Sequence, residues 1–397
     1  MSAKLSRLSD SFVLRFASDL YHCSSCNYCV DAVWPERGLN DACVTMAHHS
    51  RAPGYSGRGF IEAARAVLEG TPLDAGRLAE RVFTCTSCGN CESACPIGLR
   101  PASIGEALRA ELVETKNVPQ PIAHARHAVL TAANPYGAEK AARASWAADL
   151  AAAADATGPI YFVGCAAALK LPEEARAGYE LLRCAGLSPQ IATTGCCGAP
   201  LAAYGDPANS DALASACAAN LDAAERTVIV AGYDCARQLE PRREGPVLSV
   251  AAWLLGAVRD GTITLTRNDD PHPPSAVHLL EACALKRRTP AAPATDENAV
   301  RELFATLDIA CRDPLYPSPH APCCGAGGGM ELMQPEASRR MAAARIPDAG
   351  IAVILDPRCA AHLRDAAADK PATVLGFAEF MLRYFTLEAS PAETRHP

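Results

Sequence analysis

Cysteine is the residue type that most constrains this chain, because nineteen of its 397 residues are cysteines. Sixteen of them fall into spaced groups, eight before residue 100 and eight between residues 160 and 360. The first twenty residues lack the continuous apolar core of a secretory signal, so we expect a reducing compartment. Disulfides are rare in such a compartment, and grouped thiols there indicate metal binding.

The strongest motif has the spacing C-x2-C-x2-C-x3-C-P and consists of Cys85, Cys88, Cys91, Cys95 and Pro96. This spacing binds 4Fe–4S clusters: three thiolates hold one cluster, and the fourth reaches a second cluster. An earlier run has three cysteines at the same spacing, but its fourth cysteine is displaced and is followed by valine. We therefore predict two 4Fe–4S clusters that exchange their fourth ligands. Cluster 1 is assigned Cys23, Cys26, Cys29 and Cys95, and cluster 2 is assigned Cys85, Cys88, Cys91 and Cys43.

Zinc is the alternative for these two runs, because paired C-x2-C motifs also bind zinc. Such a zinc site takes two ligands from each pair, whereas each run here supplies three. The 55 residues between Cys29 and Cys85 include a helical pattern at Gly59–Leu68. This long separation favours a helical ferredoxin domain, as found in subunits of large redox complexes.

The second half of the chain contains an internal repeat. The order strand, cysteine, helix, Cys-Cys-Gly, helix, strand, cysteine occurs twice. Alternating strands and helices predict small parallel sheets covered by helices, and cysteines that follow strands lie where such folds place their ligands. The repeat-one cysteines are Cys165, Cys196, Cys197 and Cys235, and the repeat-two cysteines are Cys283, Cys323, Cys324 and Cys359. Buried structural thiols are the alternative interpretation of these pairs.

These patterns predict an α+β multidomain protein. We expect an α-helical ferredoxin domain in residues 1–130, a linker in 131–158, and two α/β cysteine-rich repeats in 159–268 and 275–385. Three cysteines lie outside the patterned groups, namely Cys184, Cys217 and Cys311. We expect all three to be buried structural thiols.

Charge and hydropathy narrow the classes of partner. The formal net charge is −7 and no long basic run is present, which argues against nucleic acid as a partner. No apolar stretch reaches the roughly 18–20 residues of a membrane span. We expect a cytoplasmic protein that partners attach to the inner membrane face.

A helical two-cluster ferredoxin domain followed by two Cys-Cys-Gly repeats resembles the heterodisulfide reductase D-type family. That family includes the iron–sulfur subunits of glycolate oxidase and of anaerobic glycerol-3-phosphate dehydrogenase. The resemblance implies a metal centre in each repeat. Heterodisulfide reductases use five thiolates per repeat to hold a noncubane cluster that cleaves a disulfide. In this chain Gly232 and Asp356 stand where the fifth cysteine would be, so each repeat offers four thiolates. Asp356 is predicted as an additional ligand in repeat two.

The missing fifth thiolates favour electron relay over disulfide chemistry. The predicted function is an electron-transfer subunit that connects a flavoprotein dehydrogenase to an acceptor such as quinone. No FAD or NAD motif is present, so a flavin must come from another subunit. The alternatives are a catalytic subunit that reduces a disulfide, or repeats that hold zinc or nothing.

Two further features near the repeat-two cysteines carry predictions. His320 and His362 are interpreted either as donors of hydrogen bonds to cluster sulfur or as ordinary loop histidines. The glycine-rich segment Gly325–Gly329 lacks the Walker lysine, and we interpret it as room for a cluster or a docking substrate.

Overall fold

The computed structural model describes residues 11–34, 39–150, 158–192, 195–221, 226–283, 296–312 and 321–389. Its first part is helical apart from one short antiparallel pair, β1 (Asp31–Trp34) with β2 (Leu39–Asp41). Within the described residues, no helix has the length and apolarity needed to cross a bilayer. The helices of this part are α1 (Ala17–His22), α2 (Val44–His48), α3 (Gly57–Leu68), α4 (Ala75–Thr84), α5 (Asn90–Ser93), α6 (Pro101–Glu114) and α7 (Gln120–Ala132).

The core of the helical part is built on α3, α4 and α6. Helix α3 places Phe60, Ile61 and Ala64 on one buried face, which packs against α6. Helix α4 begins at Asp74, whose carboxylate accepts a hydrogen bond of 2.8 Å from the Arg77 N–H. Such a cap stabilises a helix by about 1 kcal/mol. These helices form the frame that carries both cysteine runs.

Repeat one is a parallel four-stranded sheet with helices between its strands. The strands lie in the order β4-β3-β5-β6, so the first and third strands of the repeat form the centre of the sheet. The elements are β3 (Ile160–Phe162), α8 (Gly164–Lys170), α9 (Pro172–Cys184), β4 (Gln190–Ala192), α10 (Ala199–Ala203), α11 (Pro207–Leu221), β5 (Val228–Val230), α12 (Tyr233–Leu239), β6 (Val247–Ser249), α13 (Val250–Arg259) and β7 (Ile263–Arg267).

Repeat two has the same topology. Its sheet order is β11-β10-β8-β9. Counted from the β9 edge, the strands are the second, first, third and fourth of the repeat, as they are in repeat one. The predicted α+β class, with an α-helical part followed by two parallel-sheet repeats, is therefore confirmed. The elements are β8 (Ala276–Leu280), α14 (Asp296–Thr306), β9 (Ala310–Arg312), α15 (Met330–Met333), α16 (Pro335–Arg345), β10 (Ile351–Ile354), α17 (Pro357–Ala366), β11 (Thr373–Gly376), α18 (Phe377–Tyr384) and β12 (Phe385–Ala389).

The two repeats join around an approximate two-fold relation. The last strand of each repeat pairs antiparallel with that of the other, β7 with β12. The first long helix of each repeat packs on the last helix of the other, α9 on α18 and α14 on α13. The two repeats therefore share one continuous hydrophobic core, which runs from Tyr161 in repeat one to Phe385 in repeat two.

A buried carboxylate links the repeats at one of these helix contacts. Glu174 on α9 accepts hydrogen bonds from the N–H groups of Ala378 (3.0 Å) and Glu379 (2.9 Å) at the start of α18. Burial raises the pKa of Glu174 to about 8. The two N–H donors and the nearby Arg364 oppose that rise, and the Glu379 carboxylate adds to it. Glu174 is therefore protonated in the folded protein at pH values where it is ionised in the unfolded chain.

This geometry predicts a pH-dependent stability that Glu174→Gln removes. Between pH values near 4.5 and 8 the folded state binds one more proton at Glu174 than the unfolded state does. Stability from this group therefore falls as pH rises, with a slope of at most about 1.4 kcal/mol per pH unit. Thermal midpoints of wild type and variant at pH 5.5, 6.5 and 7.5 measure it. Parallel pH profiles of the two proteins would contradict the assignment.

Candidate metal centres

The four cysteines assigned to cluster 1 line one cavity of about 350 Å³ at the surface of the helical part. Burial raises the pKa of Cys29 to about 11, and the neighbouring Cys23, Cys26 and Cys95 thiols add to the rise. Cys95 thus lies with the first run rather than with its own. Cys26 is exposed, so the cavity opens to solvent.

The loop that carries the first run is held in an unusual backbone conformation. Ser25 and Asn27 both have positive φ angles, 57° and 69°. Arg58 on α3 donates hydrogen bonds to the Asn27 side-chain oxygen and to the Ser25 carbonyl. Residues held in this region cost energy unless their surroundings fix them. Arg58 therefore helps to fix the loop that presents the three thiols.

The four cysteines assigned to cluster 2 also come together. Burial raises the pKa of Cys43 above its ordinary value, with Cys85 and Cys88 as the nearest contributing thiols. The pKa of Cys91 is raised by burial and by Cys88, Cys85 and Cys43. The displaced cysteine of the first run therefore lies beside the second run, as the exchange of fourth ligands requires.

A buried arginine that the sequence interpretation missed anchors the cluster 2 loop. Arg109 on α6 is 1% exposed and donates to the carbonyls of Val82 and Cys85, each at 2.6 Å. It also donates to Ser87 Oγ at 2.9 Å and to the carbonyl of Ala203 in repeat one at 2.6 Å. The sequence carries no distinct signal for this role, because Arg109 is one of several charged residues in α6, with Glu106, Glu111 and Glu114. Arg109 ties the cysteine loop to the repeats.

The repeat-two thiols lie directly against the thiols assigned to cluster 2. Cys323 is in hydrogen-bond contact with Cys283, Cys324 and Cys88, the last of these from the helical part. Cys324 donates to Cys359 with an Sγ–Sγ distance of 3.1 Å. The four predicted repeat-two cysteines are therefore brought together, and Cys88 touches their edge.

The glycine-rich segment makes this contact achievable. A Cβ atom on Gly327 would overlap the Thr86 carbonyl oxygen, and one on Gly328 would overlap the Cys85 carbonyl oxygen. The space beside these glycines is thus filled by the backbone of the second cysteine run. Our interpretation of the segment as room for a cluster or a docking substrate is wrong, since the segment is a seat for the ferredoxin loop.

The repeat-one thiols have different surroundings. Cys197 is in hydrogen-bond contact with both Cys196 and Cys235. The nearby Cys165 contributes to the raised pKa of Cys197. Three of the four thiols line a cavity of about 560 Å³, while Cys196 packs on the apolar side chains of Val129 and Leu201. Residues of the linker and of repeat two also line this cavity. Its other polar or aromatic lining residues are Tyr136, Tyr204, Asp234, Glu331, Asp356 and Arg358.

Asp356 has a different role from the predicted one. Its carboxylate caps α17 by accepting from the N–H groups of Arg358 (3.1 Å) and Cys359 (3.2 Å). It also accepts from the N–H of Tyr233 in repeat one at 3.2 Å. Gly232, the corresponding position of repeat one, lies opposite, and a methyl group there would stand 3.8 Å from the Asp356 carboxylate. We therefore leave Asp356 out of the ligand set proposed below.

The remaining predicted side chains are placed as follows. His362 Nε2 lies 2.9 Å from Ser338 Oγ, so a hydroxyl is its partner in the described structure. His320 lies outside the described residues. Of the three ungrouped cysteines, Cys217 is buried as expected and Cys311 is half-buried. The prediction for Cys184 is wrong, because this residue ends α9 with its side chain exposed.

Known proteins share both halves of this arrangement. Residues 19–99 match the 4Fe-4S dicluster domain family, and residues 160–240 and 277–364 each match the cysteine-rich domain family. The chain is 24% identical over 375 residues to the D component of the dihydromethanophenazine:CoB–CoM heterodisulfide reductase of Methanosarcina mazei, covering 83% of this chain and 84% of that one. The corresponding protein of Methanosarcina barkeri is also 24% identical, over 370 residues, with the same coverage.

The chain thus combines a 4Fe-4S dicluster domain with two cysteine-rich domains, and over most of its length it is similar to heterodisulfide reductase D components. The resemblance inferred from the cysteine pattern is thereby confirmed, and the protein is an iron–sulfur redox protein. Its donor sets fit that chemistry, because thiolates are soft ligands that select iron–sulfur clusters, zinc or Cu(I). Among the described residues, no group of three or more His, Cys, Asp or Glu side chains is arranged so that it could hold a metal ion.

The exchange of fourth ligands predicts which cluster each substitution damages. Cys95→Ser should lose the cluster on Cys23, Cys26 and Cys29, because the outlying ligand crosses over. Cys43→Ser should lose the other cluster instead. Each variant should bind about four irons fewer than wild type, measured by iron analysis and by electron paramagnetic resonance (EPR) after anaerobic reconstitution.

The exposed Cys184 supplies the control for both substitutions. Cys184→Ser should keep the wild-type iron content and spectrum, because its thiol faces solvent at the end of α9. Loss of the Cys85-run cluster in Cys95→Ser would show that the fourth ligands are not exchanged. Stoichiometric zinc in place of iron would contradict the cluster assignment altogether.

The packing of the second cysteine run against the glycine-rich segment can be tested at one glycine. Gly328→Ala adds a methyl group that overlaps the Cys85 carbonyl, whereas Gly261→Ala adds one with nothing within 4 Å at a similar φ (+61° and +68°). Both variants bear the cost of a left-handed alanine, and overpacking should cost Gly328→Ala roughly 1–3 kcal/mol more. Denaturant midpoints of the two variants measure the difference, and equal midpoints would contradict it.

Proposed function

We propose that this iron–sulfur protein is an electron-transfer subunit of an oxidoreductase complex. It relays electrons between a partner flavoprotein dehydrogenase and an acceptor such as quinone. Its proposed centres are two 4Fe–4S clusters with the exchanged ligand sets, and one further iron–sulfur or zinc centre on the four thiols of each repeat. The carrying observation is the contact between Cys88 of the second cysteine run and Cys323 of repeat two.

This contact supports a defined order of centres. The cluster 1 cavity lies at the surface, with Cys26, Tyr28 and Ile97 exposed beside it. The cluster 2 thiols are covered by the helices on one side and by repeat two on the other. An electron that enters at cluster 1 would thus move inward to cluster 2 and on to the repeat-two thiols. Close successive centres are what a relay needs.

The ligand counts support relay over catalysis. The position of the fifth thiolate is Gly232 in repeat one and Asp356 in repeat two, where the carboxylate serves as a helix cap. Reductive cleavage of a disulfide needs open iron sites, whereas a relay needs only a reducible centre whose potential suits its neighbours. Four thiolates per repeat satisfy the second requirement.

The partners follow from what the chain lacks and from its relatives. The Methanosarcina proteins are named as subunits of a reductase, which supports a multisubunit redox complex for this chain as well. The chain carries no flavin or nicotinamide motif, so hydride chemistry falls to a partner. We propose a cytoplasmic location in which such partners provide any attachment to the inner membrane face.

One observation favours the alternative of a catalytic subunit. The cavity at the repeat-one thiols opens to solvent and carries Arg358 and Glu331 as polar groups for an organic molecule. Burial raises the pKa of Glu331, with the Arg358 guanidinium opposing the rise. Such a cavity would suit either a small acceptor in the relay or a disulfide substrate.

An anaerobic stopped-flow assay separates the two functions. The purified protein is reduced by a strong one-electron donor, mixed with disulfides or quinone analogues, and followed by the optical change of its clusters. We expect reoxidation by a quinone analogue at least tenfold faster than by a disulfide, with no catalytic release of thiol. Rapid thiol release that is lost in Cys197→Ser, which removes a thiol of the repeat-one cavity, but kept in Cys184→Ser would overturn the relay in favour of catalysis.

A further inference from the structure

A buried arginine lies beside the repeat-one thiols and has no assigned role. Arg143 belongs to the 3₁₀ segment Lys140–Ala147, which connects the helical part to repeat one. Its side chain is only 3% exposed. One guanidinium nitrogen, Nη1, donates to the Gly195 carbonyl and at 3.4 Å to the Ala133 carbonyl. The first of these carbonyls immediately precedes the Cys196-Cys197 pair.

The same guanidinium carries an orphaned donor. The Nε atom of Arg143 is buried and has no hydrogen-bond partner among the described residues. Leaving a buried donor unsatisfied costs about 1–3 kcal/mol, and more when the group is charged. Native proteins rarely accept this cost without a ligand or function that explains it. A sulfur atom of a bound centre would supply the missing acceptor.

The positive charge of Arg143 acts on the thiols around the repeat-one Cys-Cys-Gly motif, including the ungrouped Cys217. Burial raises the pKa of Cys165 to about 12, and Arg143 opposes that rise. Arg143 also opposes the rise in the pKa of Cys196, which comes from the contact with Cys197 and from burial. Because its guanidinium donates to the carbonyl of the residue that precedes Cys196, Arg143 lies close enough to stabilise negative charge at this site.

Repeat two has a cation in the same electrostatic role, but it comes from a different element. Arg345, at the end of α16, is among the groups that favour the ionised form of Cys324. Its guanidinium donates to the Glu281 carbonyl at 3.0 Å. The repeat-one thiols thus have both Arg143 and Arg358 nearby, and Cys324 of repeat two has Arg345, so buried positive charge accompanies both Cys-Cys-Gly sites.

We infer that Arg143 is a positioning residue for the proposed repeat-one centre on Cys165, Cys196, Cys197 and Cys235. Its Nε–H donates a hydrogen bond to a sulfur of that centre, and its charge raises the reduction potential of the centre. Hydrogen bonds to sulfur and net charge are two of the factors that set such potentials. This inference rests on the ligand set proposed above.

The test is a redox titration of the full chain, reconstituted without oxygen and monitored by EPR. The repeat-one signal is identified as the one lost in Cys165→Ser. At the wild-type midpoint potential, Arg143→Met should lower the ratio of reduced to oxidised centre at least tenfold. For a one-electron couple this corresponds to a shift of about 59 mV to lower potential. Arg143→Lys keeps the charge and should shift the midpoint less.

Arg126 provides the matched control. Its Nε atom is also buried without a partner in the described structure, but its guanidinium pairs with Asp206 at 2.6 Å. Arg126→Met should lower stability and leave the repeat-one midpoint unchanged. A purely structural role for Arg143 would likewise reduce stability without moving the potential.

Each outcome decides the question. A wild-type midpoint in Arg143→Met overturns the inference and leaves the ligand set intact. If Arg143→Met does not hold the repeat-one centre, the Arg143→Lys variant is measured instead. A wild-type midpoint potential and EPR line shape in Arg143→Lys would show that no hydrogen bond from Arg143 Nε–H to sulfur exists. A wild-type protein without any signal lost in Cys165→Ser overturns the inference, because the repeat-one thiols then hold no redox-active centre whose potential Arg143 could set. The relay is tested separately by the stopped-flow assay.

Discussion

The arrangement of the molecule depends on the close approach of two loops that bear cysteines. The loop after α4 lies with its backbone against Gly327 and Gly328, where any side chain would overlap a carbonyl oxygen. Only because these positions lack Cβ atoms can Cys88 reach Cys323. Arg109 holds the same loop from the other side through its bonds to the Val82 and Cys85 carbonyls. The relation between the ferredoxin part and repeat two is therefore fixed by backbone packing.

The repeats show how a duplicated unit acquires two roles. Both have the same strand order, and in both a serine donates to the carbonyl of the Cys-Cys-Gly glycine, Ser210 to Gly198 at 2.9 Å and Ser338 to Gly325 at 3.0 Å. The local frame of each thiol set is thus equivalent. The surroundings of the two thiol sets differ. The repeat-two thiols lie against the thiols assigned to cluster 2, whereas three of the repeat-one thiols line the cavity between the repeats. A relay that ends at an acceptor needs this asymmetry.

Much of the fold and of the site is predictable from sequence because its signals are local. The strand predicted before Cys283 is present as Ala276–Leu280, since a short apolar run before a cysteine is a local pattern. Ligand types and their grouping follow from spacing, because a cluster needs thiolates at short, fixed separations. The edge strand Gln190–Ala192 is not predicted, because three partly exposed residues carry no periodicity. The roles of Gly328 and Asp356 also escape prediction, because each depends on a group from a distant segment: the Cys85 carbonyl in one case and the Tyr233 N–H in the other.

Burial of so many thiols links the fold to its cofactors. Burial raises the pKa values of Cys43, Cys91 and Cys165, so these thiols are neutral in the protein without metal. Neutral thiols let the chain fold around its sites without the cost of burying uncompensated charge. Metal binding then requires deprotonation, and the positive charge of the metal replaces the lost protons. A buried arginine such as Arg143 would offset part of the negative charge that the thiolates and sulfide bring. The sites are thus compatible with both states, and the cations that surround them decide how easily the loaded centres accept an electron.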